Sequence, residues 1–204
     1  MRRAEQLRDR RPGALLLPGV VALLLLFVTA CGAPAATDAP DAPEPPAAPS
    51  TQEPVVAAPG EVVPTSLRIP AIGVDEPELL RLGVAEDRTA EVPEDFSRVG
   101  WFDRDGNPGA TVLMGHVDSR DGPAVFFDLR DLAPGDVIEV GRSDGTVGRY
   151  EVERTQQMPK DEFPTFEVFG ATSDDIVRLV TCAGDFDRGE RSYIDNLVVH
   201  ARAL

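Results

Sequence analysis

From Ser66 onward the chain is cut into short β-forming runs by glycine, proline and aspartate, and this punctuation restricts it to an all-β architecture. Leu67-Arg68-Ile69 alternates apolar and polar, Pro70 interrupts, and Ile72-Gly73-Val74 resumes. Thr111-Val112-Leu113-Met114 is a β-rich apolar run leading into Gly115-His116. Asp136–Val140 follows the turn Ala133-Pro134-Gly135, and Gly148–Val152 follows Ser143-Asp144-Gly145. Ile176–Cys182 and Ser192–Ala201 read as two further strands. Short strands at this spacing predict a closed or nearly closed β-domain. Helical periodicity is weak, and Val125–Leu132 is the segment that predicts a short helix. There is no internal repeat and no glycine-rich phosphate loop.

What precedes Ser66 is of a different kind. Many of the 19 prolines fall between Pro34 and Pro64, so the folded part is shorter than 204 residues and amounts to one domain. From Gly32 to Pro64 there is no aromatic residue; such a segment cannot bury enough surface to offset its ordering entropy and predicts a disordered, semi-extended stalk. Arg2, Arg3, Arg8, Arg10 and Arg11 precede an apolar run from Ala14 to Val28. Broken by Pro18 and Gly19, that run falls short of the roughly 20 apolar residues of a membrane span and reads as an export signal. It ends in Val28-Thr29-Ala30-Cys31-Gly32, which resembles a lipobox, with Cys31 as the lipidated residue. The other reading is an uncleaved signal anchor in which Cys31 is one apolar residue among others. Both put the remainder on the outer face of the cytoplasmic membrane. The expected organisation is therefore 1–31 signal or anchor, 32–64 stalk and 65–204 domain. A formal charge of −15, with strongly basic sequence only at the N-terminus, excludes non-specific nucleic-acid binding.

Two cysteines are present, and if Cys31 is lipidated or in the bilayer, Cys182 has no intramolecular partner. An unpaired thiol in an oxidising, exported compartment reads either as a reactive group or as a buried apolar residue. Alternation puts Cys182 on the face of Arg178 and Val180, opposite Leu179 and Thr181; a face bearing an arginine predicts an accessible sulfur. Cations that favour the thiolate would make it a nucleophile, and Arg188 and Arg191 are the nearby candidates. Of the two histidines, His116 ends an apolar strand just after a glycine that lets the backbone approach something closely, whereas His200 reads as structural. Asp118 reads as a turn former. Two histidines and one available cysteine do not make a zinc set, and the acidic loops lack ordered calcium-loop spacing.

Val180-Thr181-Cys182 on a late strand, Gly115-His116 at the end of an earlier one and an arginine opening the final strand together resemble the sortase family. Gly115-His116-Val117-Asp118-Ser119, Phe126-Phe127-Asp128-Leu129 and Arg191-Ser192-Tyr193-Ile194-Asp195-Asn196 resemble class F sortases in particular, and the likeness runs from about Ser66 to Leu204. It implies an eight-stranded barrel, with His116, Cys182 and Arg191 as the catalytic set and no cofactor. The implied substrates are secreted proteins with a Leu-Pro-X-Thr-Gly-like sorting signal, and the implied acceptor is a peptidoglycan precursor or cross-bridge amine. The implied enzyme is monomeric. Members of the family commonly carry a transmembrane N-terminal anchor, where this chain has its lipobox-like sequence.

Two other readings compete. One is a peptidoglycan-acting cysteine hydrolase or L,D-transpeptidase, but the latter place histidine and cysteine close together in sequence, and His116 and Cys182 are far apart. The other is a non-catalytic exported lipoprotein, a binding module whose thiol would be buried and inert. Arg188 competes with Arg191 for the arginine role; Arg191 is preferred because a strand start would fix its backbone. A dyad of Cys182 with His200 is disfavoured because His200 has the opposite strand parity from Arg191.

Overall fold

The computed structural model describes residues 52–104 and 109–204. Strand β1 (Pro64–Ile69) turns through a single 3-10 turn, Pro70–Ile72, into β2 (Val74–Glu76). Two short strands follow, β3 (Leu80–Leu82) and β4 (Gly100–Phe102), then β5 (Thr111–Met114). A two-stranded ribbon of β6 (Asp118–Ser119) and β7 (Gly122–Pro123) precedes β8 (Val137–Arg142) and β9 (Val147–Pro159). After the short helix α1 (Thr165–Phe169), β10 (Ile176–Asp187) and β11 (Ser192–Ala203) close the chain.

Nine of these strands form one mixed sheet in the order β2-β1-β8-β9-β11-β10-β5-β4-β3. Its pairings are antiparallel except β5 with β10 and β3 with β4. Leu67 and Val74, near one edge, share a core cluster with Leu113, Leu179 and Val199 of the central strands. Strands that far apart in the sheet can share a core only if the sheet curls, so the domain is a half-barrel with β2 and β3 as its edges. A second cluster, with Val112, Met114, Val180 and Val198, packs on the opposite face against Leu82, Phe102, Met158 and Val168. Each fully buried aliphatic side chain contributes roughly 1.5–3 kcal/mol, so burial on both faces supplies most of the drive to fold.

The all-β architecture is as expected, with corrections of detail. The described residues hold eleven strands, nine of them in the main sheet, where the resemblance implied eight. Strands β3 and β4 span only three residues each and are too short to show periodicity. Strand β9 extends seven residues beyond the expected Val152 because its polar second half, Glu153–Gln157, is held by pairing with β11 rather than by burial. The expected helix is a 3-10 turn at Phe127–Asp131. Residues 52–63, placed with the stalk by composition, pack on the domain. Val55 N donates to Leu79 O at 2.9 Å, Arg81 N donates to Glu53 O at 2.9 Å, and Val63 is buried. The export signal, Cys31 and the rest of the stalk lie outside the described residues. Among the described residues no helix is long and apolar enough to cross a membrane.

Candidate active site

Strand β10 carries Cys182, a free thiol that is half-buried. Its parallel neighbour β5 is four residues long and leads straight to His116. The ladder pairs Val180 with Met114, and Gly115 N still donates to Val180 O at 3.3 Å. Cys182 and His116 are each two residues beyond that pair. The parallel register therefore puts both residues at one level of the sheet, although β5 ends there and β10 runs on to Asp187. Alternation within β10 puts Cys182 on the face of the second core cluster, while His116 stands just past the end of β5.

That face is not open along its whole length. Val180 is buried, and Arg178 Nη1 donates to Val168 O at 2.7 Å beneath the α1 segment, so an arginine on the strand did not signal solvent. Burial lowers the pKa of that guanidinium. The thiol is reachable because it stands beyond this covered stretch; it does not end its strand as expected, since pairing with β11 carries β10 on to Asp187.

Gly115 has the use expected of it. A Cβ there would stand 2.8 Å from both Phe126 Cδ2 and Val125 Cγ1, and Phe126 is 0% exposed. The close approach fixes the backbone that follows, and Phe126 N donates to His116 O at 2.9 Å. The imidazole Nε2 lies 2.6 Å from Pro93 O. A carbonyl oxygen only accepts, so Nε2 carries a hydrogen in this arrangement and Nδ1 is the nitrogen without that partner. The Phe96 ring covers the imidazole at 4.3 Å between centroids. The segment holding Pro93 is braced from the chain's N-terminal side: Gln52 Nε2 donates to Val92 O at 2.8 Å, and Glu94 N donates to Gln52 Oε1 at 2.7 Å.

Strands β10 and β11 form a long hairpin in which Cys182 pairs directly with Asn196. Arg191 does not open β11. It is the last residue of the connecting turn, exposed, with φ of +52°. Asp187 explains the displacement: its carboxylate accepts from Gly189 N at 2.7 Å and Glu190 N at 3.2 Å, and the strands stay paired out to Asp187 and Ser192. Ser192 stands four strand residues, on the order of 13 Å, beyond the level of Cys182 and Asn196. Arg188 is exposed in the same turn.

Asp118 belongs to β6 and accepts a hydrogen bond from Tyr193 Oη, tying the segment after His116 to the β10–β11 hairpin. That bond first, then burial, the carboxylate charge and the nearby Cys182, push the Tyr193 hydroxyl up to about 12. The reading of Asp118 as a turn former missed this contact, which no local spacing announces. Asn196 was not singled out from the sequence either: the hairpin tip pairs Asp187 with Ser192, and only a register shift between Ala183 and Phe186 brings Cys182 opposite Asn196.

His200 is buried, and its Nε2 has no hydrogen-bond partner. It pairs with Arg178, four residues before Cys182, and shares the face of the thiol. Separation along the strand, rather than the strand parity argued from sequence, keeps it away from the sulfur. Burial first, then Arg154 and Arg178, push its imidazole down to about 4.

No curated protein sequence matches the chain significantly. Among solved structures it is similar to sortase C1 from Streptococcus suis, at 19% identity over 69% of this chain and 72% of that one, with a TM-score of 0.49. It is also similar to sortase C-1 from Actinomyces oris, at 26% identity over 68% and 72%, with a TM-score of 0.46. A sortase D5 transpeptidase from Clostridium perfringens matches at 19% identity over 69% and 78%, with a TM-score of 0.49. The sortase-domain family model matches residues 67–204, well over half of the chain. The protein therefore belongs to the sortase family and is an enzyme, a cysteine transpeptidase.

Proposed function

We propose that Cys182 is the nucleophile and His116 the proton carrier of a transpeptidase that cleaves a Leu-Pro-X-Thr-Gly-like sorting signal. The observation that carries this reading is the parallel β5–β10 pairing, from which both residues emerge at one level. The Cys182 thiolate adds to the threonyl carbonyl, and collapse of the tetrahedral adduct expels the glycine amine and leaves a thioester. His116 protonates that leaving amine and later deprotonates the incoming one; two acyl transfers thus replace one difficult amide exchange. Arg191 hydrogen-bonds the substrate backbone or the oxyanion from the hairpin turn. The acceptor is a cell-wall amine on a peptidoglycan precursor or cross-bridge. The motifs around His116, Phe126 and Tyr193 favour class F within the family. Export through the N-terminal signal, with attachment by a lipid on Cys31 or by an uncleaved anchor, would hold a monomeric enzyme at the outer face of the cytoplasmic membrane.

The test is mass spectrometry of the purified full chain incubated with a panel of Leu-Pro-X-Thr-Gly-like peptides. An acyl adduct mapping to Cys182, absent from Cys182→Ala, is the expected result. Peptide cleavage that persists in Cys182→Ala, or no adduct with any member of the panel, would sink the assignment.

A further inference from the structure

The antiparallel register sets one more polar side chain beside the sulfur. Cys182 and Asn196 are direct cross-strand partners, and such pairs project to the same face with Cβ atoms about 5 Å apart. Two residues back along each strand, Val180 and Val198 are likewise paired, and both lie in the second core cluster. The face of the pair thus follows from alternation on both strands. On its other side Asn196 pairs with Met158 of β9, which is buried in that cluster. The resulting row runs Cys182, Asn196, Met158 across β10, β11 and β9, with His116 two residues past the end of β5. In it Asn196 is half-buried, and its carboxamide makes no hydrogen bond to any described residue.

A strand asparagine in this setting is poorly explained by folding alone. Asparagine is among the residues depleted from strands, and it gains here neither a cap, a turn nor a cross-strand side-chain bond. Its carboxamide carries two donors. It is neutral, so it can stand beside the thiol without pairing with a thiolate as a cation would. We infer that the Asn196 side chain is an oxyanion donor of this enzyme, its Nδ2–H groups aimed at the carbonyl oxygen of the peptide attacked by Cys182. As the Sγ–C bond forms, the carbonyl π pair moves onto oxygen, where the Nδ2–H dipole meets it. On collapse that pair re-forms the C=O bond, the C–N bond breaks, and the departing nitrogen takes its proton from His116. Arg191, in the turn beyond this row, keeps the role proposed for it above.

This inference rests on Cys182 being the nucleophile, and its test separates the two ideas. The full chain, Asn196→Ala and the near-isosteric Asn196→Asp are compared in two assays: the rate of Cys182 acylation by the Leu-Pro-X-Thr-Gly-like peptides, and the rate of Cys182 labelling by a methanethiosulfonate. Disulfide exchange builds no oxyanion, so it reports thiol access and ionisation alone. Loss of an oxyanion donor typically costs about 10²- to 10³-fold. Asn196→Ala is expected to lose that much in kcat for acylation, with KM within about threefold and an unchanged labelling profile against pH. Asn196→Asp, presenting a carboxylate to the developing charge, should acylate no faster. Acylation by Asn196→Ala within about threefold of the parent rate overturns the assignment while leaving Cys182 as nucleophile. Equal losses in acylation and labelling overturn it as well, because they mark a merely structural residue. If the parent chain forms no acyl adduct at all, the transpeptidase reading falls and this inference with it.

Discussion

Arg191 occupies a backbone conformation that its side chain does not favour. With φ of +52° it sits in the left-handed region, where a Cβ costs roughly 1–2 kcal/mol relative to glycine. A sequence selected for stability alone would place glycine or asparagine there. Arg191→Gly should therefore relieve strain and stabilise the domain by roughly 1 kcal/mol, raising Tm by about 2–4 °C. Peptide transfer should nevertheless fall at least about tenfold, since the guanidinium is lost. Thermal unfolding and turnover measured on the same preparation decide it. A variant as active as the parent, or one that melts earlier, argues against a functional reason for an arginine at this turn.

At the scale of elements, the site depends on how two loops are fixed to the sheet. Gly115 lets Phe126 close onto the end of β5, and Gly115→Ala would force a methyl to within 2.8 Å of Phe126 and Val125. Overpacking of this kind costs about 1–3 kcal/mol, and the displaced backbone is the one that aims His116. The expected outcome is a lower unfolding midpoint in urea together with a loss of turnover larger than the loss of folded fraction. The second attachment is the bond from Tyr193 to Asp118, which joins the loop after His116 to the hairpin bearing Cys182. Both residues are only half-buried, so solvent weakens the bond, and a coupling of about 1 kcal/mol is expected. A double-mutant cycle of Tyr193→Phe and Asp118→Asn, read in stability and in kcat, measures it; additive single effects would mean that the contact joins nothing.

For the whole molecule, the buried His200 sets a pH limit on stability. Its imidazole is pushed down to about 4 in the folded chain, against 6.5 when free. As pH falls below 6.5 the unfolded chain takes up the proton and the folded one does not, so stability declines down to about pH 4 and then levels off. Above pH 6.5 the residue contributes no pH dependence. The full decline is on the order of 3 kcal/mol. Urea unfolding between pH 7 and pH 4.5 should show His200→Leu losing less stability than the parent over that interval, because leucine takes up no proton in the unfolded chain. Parallel losses in the two proteins would assign the acid sensitivity to carboxylates instead.

Local sequence was enough for the β class, for most of the long strands and for the short residue list from which the chemistry is drawn. Alternation and turn residues are properties of neighbours in sequence, and Cys182 and His116 stood out because each closes an apolar run. The strand boundaries and the surroundings of those residues depended on partners distant in the chain. Burial does not mark the second half of β9, which pairing with β11 holds in place. Arg191 moved from strand to turn because Asp187 caps a hairpin that stays paired beyond the cysteine. Arg178 suggested an exposed face, yet its guanidinium is spent on a carbonyl under α1. That β5 and β10 lie side by side and parallel is what brings residues 116 and 182 to one level. Sequence could supply the two apolar runs, but only long-range packing decides how far each strand extends and which strands become neighbours, because that choice depends on how the whole curled sheet buries its two faces.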